Sequence, residues 1–317
     1  GDIEFDNQSY NLSQSKAIFV GDQLAGFSGE QVFAADSNDD GLSEFVISSP
    51  KYDGTEEDVG RVSFFVGGEY TGIWDISETA QSHFWGTNYG DKIGISIEMQ
   101  DWDGDGLGDL LVGAPYLSDI FSQQGAVFGF ANVHSHFGEL STIDADFRID
   151  GTQNSSHLGQ QIEIFDFDDD QDNDLLISAP NHSEGSVGGG SVVYFDSFPL
   201  GDQTYEDADL RLVGGTPAGA LGTAIGFGGD INGDGSSDLV VSAPFGDVQN
   251  ITGAGKILLW NSGIGFTDAD GDGFVTWVNG GLDCDDENSE IYPSQTEIEN
   301  LIDDDCDGWI DDKLNYR

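Results

Sequence analysis

The chain has 317 residues and is strongly acidic, because 60 Asp and Glu stand against 9 Lys and Arg, for a formal net charge of −51. This charge excludes nucleic acid and anionic lipid as partners, since both need clustered cations. No apolar run reaches the roughly 18–20 residues that cross a bilayer, so no membrane span is expected. The sequence begins at Gly1 without a signal peptide, and we expect a processed product.

Sequence markers recur along the chain every 64 or 65 residues. Acidic loops begin at Asp36, Asp101, Asp166 and Asp230. Each is followed by an apolar strand that ends in a small-small-Pro sequence, and a glycine then opens a second apolar strand. The runs are short, β-branched or aromatic, and bounded by turn residues, without the period of a helix. The repeats therefore predict an all-β fold, a β-propeller of four blades of about 65 residues over residues 1–262. A β-sandwich array or a β-solenoid is the alternative.

The phase of the repeats also predicts how the chain ends meet. Trp260 closes the fourth repeat, so the residues up to about Gly21 correspond to the segment that follows Phe65 in the first repeat. Such a permuted start lets the N-terminal segment complete the blade begun at the C-terminal end, which leaves no free strand edge. Four blades either close a ring or form part of a larger propeller, and the sequence leaves both open.

Each acidic loop offers oxygen atoms at alternate positions, as a Ca²⁺ site requires. Counted from the first Asp, positions 1, 3, 5 and 9 supply side-chain oxygens and position 7 supplies its carbonyl. The expected ligands are Asp36, Asn38, Asp40, Leu42 and Glu44 in the first loop, Asp101, Asp103, Asp105, Leu107 and Asp109 in the second, Asp166, Asp168, Asp170, Asp172 and Asp174 in the third, and Asp230, Asn232, Asp234, Ser236 and Asp238 in the fourth. Gln171 takes the place of the turn glycine in the third loop, so we expect an altered turn there.

Calcium fits these loops better than other metals do. Magnesium demands a stricter octahedral geometry, and zinc favours His and Cys, which the loops lack. We expect a structural role, because the cation would remove the repulsion among the carboxylates of one loop. Solvated Asp/Gly turns without metal are the alternative, against which four loops in register argue.

From residue 263 the composition changes, and residues 263–317 are predicted to form a second, smaller unit. A polar unit of this size has little core, so metal and a disulfide would hold it together. Further ligands are expected at Asp268, Asp270, Asp272, Phe274, Asp283, Asp285, Asp303, Asp305, Asp307, Trp309 and Asp311, enough for two or more Ca²⁺ ions. Cys284 and Cys306 are the only cysteines and are expected to pair in an oxidising compartment. A disordered acidic tail is the alternative.

Two family resemblances support these predictions. Over about residues 17–260 the repeats resemble the FG-GAP β-propeller repeat of integrin α-subunits, through Gly113-Ala114-Pro115 and, more loosely, Phe27-Ser28-Gly29. The tail resembles the Asp/Cys-rich metal-binding motif of exported bacterial proteins, through residues 283–286, 291–293 and 305–308. The first resemblance implies Ca²⁺ in the acidic loops on one face and ligands on the other, in rings that in familiar members have seven blades.

We therefore expect a secreted bacterial protein, extracellular or at the cell surface, that serves as an adhesion, recognition or assembly module for a protein or glycan ligand. A lectin-like domain is one alternative, with Tyr52 and Tyr116 as candidate sugar platforms. A homo-oligomeric subunit of a filament or surface layer is the other. Catalysis is not expected, because no phosphate loop or nucleophile elbow occurs. The histidines are scattered, at His83, His134, His136, His157 and His182.

Overall fold

The structure is a computed structural model, and it describes residues 15–38, 40–167, 173–227, 229, 231, 237–248, 251–260, 284–285, 287–292, 295–296, 298, 300–304 and 306. The strands are β1 (Ala17–Val20), β2 (Val32–Ala35), β3 (Glu44–Ser49), β4 (Arg61–Phe65), β5 (Gly72–Asp75), β6 (Ser82–Trp85), β7 (Ser96–Gln100), β8 (Asp109–Ala114), β9 (Ala126–Phe130), β10 (Gly138–Ser141), β11 (Phe147–Asp150), β12 (Ile162–Phe165), β13 (Asp174–Ala179), β14 (Ser191–Phe195), β15 (Gln203–Thr204), β16 (Leu210–Val213), β17 (Ile225–Phe227), β18 (Leu239–Ala243) and β19 (Lys256–Trp260). The helices are single turns, α1 (Ile76–Thr79) and the 3₁₀ segments Val133–Ser135, Thr142–Asp144 and Tyr205–Asp207.

Each repeat forms one sheet, and the sheets share a strand order. From the outer to the inner edge the first sheet is β10-β6-β4-β3-β2, the second β15-β11-β9-β8-β7, the third β16-β14-β13-β12 and the fourth β19-β18-β17. In every sheet the acidic loop joins the inner strand to the second strand as an antiparallel hairpin. This order is that of propeller blades, so the predicted all-β propeller class is confirmed. The number of blades in a ring and its closure stay predictions.

The core lies between successive sheets. Apolar side chains on one face of each sheet pack against the next sheet, and the inner strands follow one another as β2 on β7, β7 on β12 and β12 on β17. The third strands β4, β9 and β14 are buried along their whole length. A blade has apolar residues on both faces, so each sheet needs a neighbour on either side.

A short parallel strand covers the outer edge of a sheet and comes from the following repeat. β10 pairs with β6, and β15 pairs with β11, in this way. The pair β1 and β5 has the same parallel arrangement, from Ala17 opposite Gly72 to Val20 opposite Asp75. The sequence predicted about four strands per repeat and missed this one, because two to four residues such as Gln203–Thr204 carry no recognisable strand pattern.

The glycine that opens each third strand permits a close backbone approach. Gly125 has a φ of 76°, and a Cβ there would lie 2.2 Å from the Leu158 carbonyl oxygen of the loop that leads into the third sheet. A Cβ at Gly190 would likewise lie 2.3 Å from the Leu221 carbonyl oxygen. The repeat spacing of these glycines therefore reflects the contact of each sheet with the next loop.

The tail contains a small ordered centre. Cys284 and Cys306 form a disulfide bond, and Ile291 and Asp304 are buried. The Asp304 carboxylate accepts hydrogen bonds from the Ile298 N–H at 3.0 Å and from the Asn300 side-chain amide at 2.8 Å. The predicted domain boundary at residue 262 lies outside the described residues. Within the described part of the chain, the helices are all too short to reach across a bilayer.

Candidate metal centre

The second acidic loop brings three of its predicted ligands together. It joins β7 to β8, and carboxylate oxygens of Asp101, Asp103 and Asp109 all lie within 4.8 Å of one another. Among the described residues this is the one group of three acidic, His or Cys side chains close enough to share a metal ion. Asp105, which the sequence also predicted as a ligand, is not part of that group.

Backbone N–H groups hold this loop around its carboxylates. The Asp101 side chain accepts hydrogen bonds from the N–H of Gly104 at 2.8 Å and of Gly106 at 2.9 Å. The Asp105 N–H donates to Asp103, and the Leu107 N–H donates to Asp105. Gly106 has a φ of 86°, which an L-residue adopts only with strain, so the predicted turn glycine is explained.

The last carboxylate of the loop is buried. Asp109 is 0% exposed and accepts hydrogen bonds from the N–H of Trp102 at 3.0 Å and of Asn132 at 2.6 Å. Burial raises the pKa of Asp109 to about 6 against the effect of these two bonds, and the charges of Asp103 and Asp101 raise it further. A cation among the three carboxylates would offset both causes, since it favours the charged form.

The first loop repeats this hydrogen-bond pattern. Asp36 accepts from the Gly41 N–H at 2.9 Å, and Asp40 accepts from the Leu42 N–H at 2.8 Å. Glu44 is 1% exposed and accepts from the N–H of Ser37 and of Gly67, each at 3.1 Å. Asn38 supplies an amide where the second loop has Asp103, so this loop carries fewer carboxylates at its centre.

The third and fourth loops are described only at their ends, where the same anchor recurs. The Phe167 N–H donates to Asp174 at 2.6 Å, and the Ile231 N–H donates to Asp238 at 2.7 Å. The carboxylates of Asp174 and Asp238 are buried. Asp166 directly precedes Phe167 at the start of the third loop. Residues outside the described part of the chain are the predicted ligands Asp168, Asp170, Asp172, Asp230, Asn232, Asp234, Ser236, Asp268, Asp270, Asp272, Phe274, Asp283, Asp305, Asp307, Trp309 and Asp311, together with Gln171.

The ninth loop position has a second role that the sequence did not reveal. In all four loops its carboxylate accepts the N–H of the second loop residue, and it opens the second strand of the sheet or directly precedes it. In the first loop a contact from the next repeat is added, because the Ser37 hydroxyl donates to Glu44 and lies 2.9 Å from His134 Nε2. Such contacts depend on the neighbouring sheet and have no local sequence pattern.

Each candidate sugar platform has a cation over its ring. The Arg61 guanidinium lies 3.9 Å from the centre of the Tyr52 ring. The Lys92 ammonium lies 5.1 Å from the Tyr116 ring, and the His157 ring packs beside it at 5.0 Å. In each tyrosine a cation therefore lies over one of the two ring faces on which a sugar could stack.

The histidines take part in packing. His83 Nδ1 lies 2.9 Å from the Ser63 hydroxyl. His182 stacks on the Tyr205 ring at 3.8 Å between ring centres, and burial, followed by the charge of Arg211, lowers the pKa of His182 to about 4. These contacts give His83 and His182 a place in the packing of the sheets.

Comparison with known proteins identifies two sequence motifs. Residues 221–260 match the FG-GAP repeat, and residues 283–312 match a metal-binding motif of the Cu-binding MopE type. The chain therefore carries an FG-GAP repeat and, in its tail, a metal-binding motif, as the two resemblances implied.

Similar proteins include integrin α-subunits and a phospholipase. A phosphatidylinositol-glycan-specific phospholipase D of Dictyostelium discoideum is 25% identical over 80% of this chain and 29% of its own length. Integrin alpha-5 of Xenopus laevis is 34% identical over 35% of this chain and 11% of its own length. Integrin alpha-3 of Cricetulus griseus is 33% identical over 42% of this chain and 13% of its own length. The chain thus spans less than a third of the length of these relatives.

Proposed function

We propose that this chain is an extracellular recognition module that binds a protein ligand, and that Ca²⁺ ions in the acidic loops stabilise it without taking part in catalysis. The observation that carries the metal proposal is the approach of Asp101, Asp103 and Asp109 within one loop closed by its own N–H groups. The register of the repeats extends the proposal to the ligand positions of the other three loops.

The donor atoms support calcium over copper, including in the tail. Copper favours imidazole and sulfur ligands, whereas calcium takes carboxylate and carbonyl oxygens. Residues 283–312 contain neither His nor Met, and both cysteines are joined in the disulfide. The described side chains that remain, such as Asp285 and Asp303, offer oxygen alone. Two or more Ca²⁺ sites in the tail are therefore part of the proposal.

The surface proposed for the ligand lies at the end of the sheets opposite the acidic loops. Loops at this end expose several large apolar side chains, whose exposed fractions lie between 62% and 96%. They are Leu24, Tyr89, Ile120, Val187 and Phe245. An exposed apolar patch marks a protein-binding surface, and we propose that these side chains contribute to one.

A protein ligand is favoured over a glycan and over a catalytic role. One cation lies over the ring of Tyr52 and one over the ring of Tyr116, where each would compete with a sugar for that face. The chain covers 29% of the phospholipase and 11% of integrin alpha-5, so neither protein's activity is carried over, and the FG-GAP repeat itself supports a recognition role. The disulfide supports an oxidising, extracellular location.

The metal proposal is tested by thermal unfolding with CaCl₂ and with a chelator. We expect Ca²⁺ to raise the Tm of the full chain. Asp103→Asn is the sharper variant, because Asp103 is exposed and, among the described residues, accepts one hydrogen bond, from the Asp105 N–H, so the metal-free fold should be unchanged. The control is Glu56→Gln, at an exposed carboxylate outside the acidic loops. An equal Tm with Ca²⁺ and with chelator, in the parent chain, would contradict structural calcium.

The ligand proposal is tested on printed arrays of extracellular matrix proteins and of glycans, in the presence of CaCl₂. We expect binding to one or more protein spots, weakened by Tyr89→Ser combined with Ile120→Ser. Leu200→Ser is the control, because Leu200 is equally exposed but lies between β14 and β15, away from these loops. Binding confined to glycan spots would contradict the protein-ligand proposal and support the lectin alternative.

A further inference from the structure

The acidic loops of neighbouring sheets touch one another. Gly108 is the eighth residue of the second loop, and a Cβ there would lie 2.2 Å from the Cβ of Ser37, the second residue of the first loop. Asn173 is the eighth residue of the third loop, and its side chain bonds to the start of the second loop. In both interfaces the eighth position of one loop therefore meets the first two residues of the preceding loop.

The Asn173 side chain makes two hydrogen bonds across this contact. Its amide nitrogen donates to the backbone carbonyl of Asp101 at 3.3 Å, and its oxygen accepts from the side-chain amide of Gln100 at 3.1 Å. Gln100 is the last residue of β7, and Asp101 is the first predicted ligand of the second loop. One side chain of the third repeat thus holds the point at which the second loop leaves its strand.

Trp102, the next residue of the second loop, also contacts the third repeat. Its ring stacks on Phe198, with ring centres 5.2 Å apart and the ring planes 11° from parallel. Its backbone N–H donates to the buried carboxylate of Asp109 at 3.0 Å. The third repeat therefore holds two successive residues of the second loop, and the second of these fixes a predicted ligand.

Asn173 is placed to respond to a cation in its own loop. It stands between Asp172 and Asp174, which are predicted to supply the carbonyl and the last carboxylate of the third site. Asp174 is 0% exposed and accepts the Phe167 N–H at 2.6 Å. A cation in the third loop would hold the backbone on both sides of Asn173, and so would restrict the side chain that bonds to Asp101.

We propose that Asn173 is a positioning residue of the second metal loop, and that through it Ca²⁺ in the third loop strengthens Ca²⁺ binding in the second. This inference rests on the calcium sites of the proposed function. Asn173 acts through the backbone of Asp101, whose carboxylate has to meet the ion together with those of Asp103 and Asp109. Groups that orient metal ligands typically change metal affinity by roughly 10- to 100-fold. Because the coupling of two binding sites is reciprocal, the third loop gains the same factor from the second.

Terbium luminescence can report on the second loop separately from the others. Tb³⁺ takes oxygen ligands as Ca²⁺ does, and a tryptophan excites a Tb³⁺ ion that lies close to it. The second loop has Trp102 at a position where the other three loops have Ser37, Phe167 and Ile231. The part of the tryptophan-excited signal that Trp102→Phe removes therefore belongs to the second loop.

Asn173→Ala tests the positioning role in a titration of the full chain with TbCl₃. We expect the Kd of the second loop to rise roughly tenfold, because the variant loses the bond to the Asp101 carbonyl. The variant should fold, since Gly108 takes this position in the second loop without any side chain. Asn181→Ala is the matched control, because this exposed asparagine follows the other end of β13 and contacts His157. Its Kd should equal that of the parent.

Asp170→Asn separates coupling from a merely structural effect, because it removes a predicted ligand of the third loop and keeps Asn173. We expect it to raise the Kd of the second loop several-fold in the parent chain and to change nothing further in Asn173→Ala. An equal factor in both backgrounds, including no change in either, overturns the coupling. A parent signal whose Kd Asn173→Ala leaves unchanged overturns the positioning role and leaves the calcium proposal standing. A parent chain without any Trp102-dependent signal contradicts the second calcium site itself, and this inference with it.

Discussion

At the scale of single residues, the scarce cations of this acidic chain stabilise particular contacts. Arg61 is 1% exposed, donates to both carboxylate oxygens of Asp22 at 2.6 and 3.2 Å, and lies on the Tyr52 ring. Although burial raises the pKa of Asp22, the hydrogen bonds from Arg61 and Tyr52 outweigh it, so the pKa is lowered. The pair therefore joins the loop before β2 to the third strand of the same sheet.

Replacement of Arg61 should be costly. We expect Arg61→Ala to lower the free energy of unfolding by about 1–3 kcal/mol, because it leaves the Asp22 carboxylate without its charged partner. Lys16→Ala is the control, since its 4.0 Å ion pair with Glu69 is exposed and should contribute less than about 1 kcal/mol. Chemical denaturation of both variants measures the difference. A similar small loss in each would show that the Arg61 pair does not hold the loop.

Two carboxyl groups on neighbouring inner strands should make stability depend on pH. Burial, followed by the charge of Glu163, raises the pKa of Glu98 from 4.5 to about 8, and burial raises the pKa of Glu163 to about 7. The folded chain therefore holds more protons than the unfolded chain above pH 4.5, so the free energy of unfolding falls as the pH rises towards 8.

Glu98→Gln tests this pH dependence, because it replaces the carboxyl by a neutral group of the same shape. We expect the variant to raise the Tm at pH 8 and to leave it nearly unchanged at pH 4, as measured by calorimetry in chelator. Glu56→Gln, in an exposed loop, is the control and should follow the parent at both values. If the Tm of Glu98→Gln and the Tm of the parent change in parallel with pH, the Glu98–Glu163 pair is not the cause of the pH dependence.

At the scale of the strand, the glycines that open the third strands serve the contact between a sheet and the next loop. We expect Gly125→Ala to be much more destabilising than Gly138→Ala. Both glycines have a φ near 80°, but the new Cβ at Gly125 would meet the Leu158 carbonyl oxygen at 2.2 Å, whereas Gly138 has nothing within 4 Å. Gly138→Ala should lower the free energy of unfolding by roughly 1–3 kcal/mol, because alanine is strained at this backbone conformation. Equal losses of unfolding free energy in the two variants would contradict the close approach.

The strands and acidic loops were predictable because their signals are local. Alternate oxygens from Asp101 to Asp109 and the turn at Gly106 lie within nine residues of sequence, and the structure brings three of the predicted ligands together. The parallel strand β10 and the exposed face of β19 could not be predicted, because they depend on the neighbouring sheet. Val62 and Ile257 are both apolar residues at the same strand position, and only packing distinguishes a buried side chain from an exposed one.

At the scale of the whole molecule, charge repulsion and metal binding have to be distinguished. The four acidic loops hold 17 of the 60 acidic residues, and residues 266–317 hold 16 more. Four bound Ca²⁺ ions would change the net charge only from −51 to −43, so most of the charge persists with every loop occupied. Repulsion among the remaining carboxylates is long-ranged and is screened by any salt, whereas the proposed metal sites in the loops would respond to a divalent cation.

This distinction predicts different responses to two salts of equal ionic strength. We expect CaCl₂ at about 10 mM, near tenfold above the weaker affinities of extracellular calcium sites, to stabilise each occupied site by roughly 1.4 kcal/mol. NaCl at about 30 mM has the same ionic strength and should raise the Tm only slightly, through screening. Asp103→Asn should lose part of the calcium response and keep the sodium response, because it removes one ligand of the closest carboxylate group but hardly alters the total charge. If the two salts raise the Tm of the parent chain equally, the acidic loops act as general surface charge rather than as metal sites.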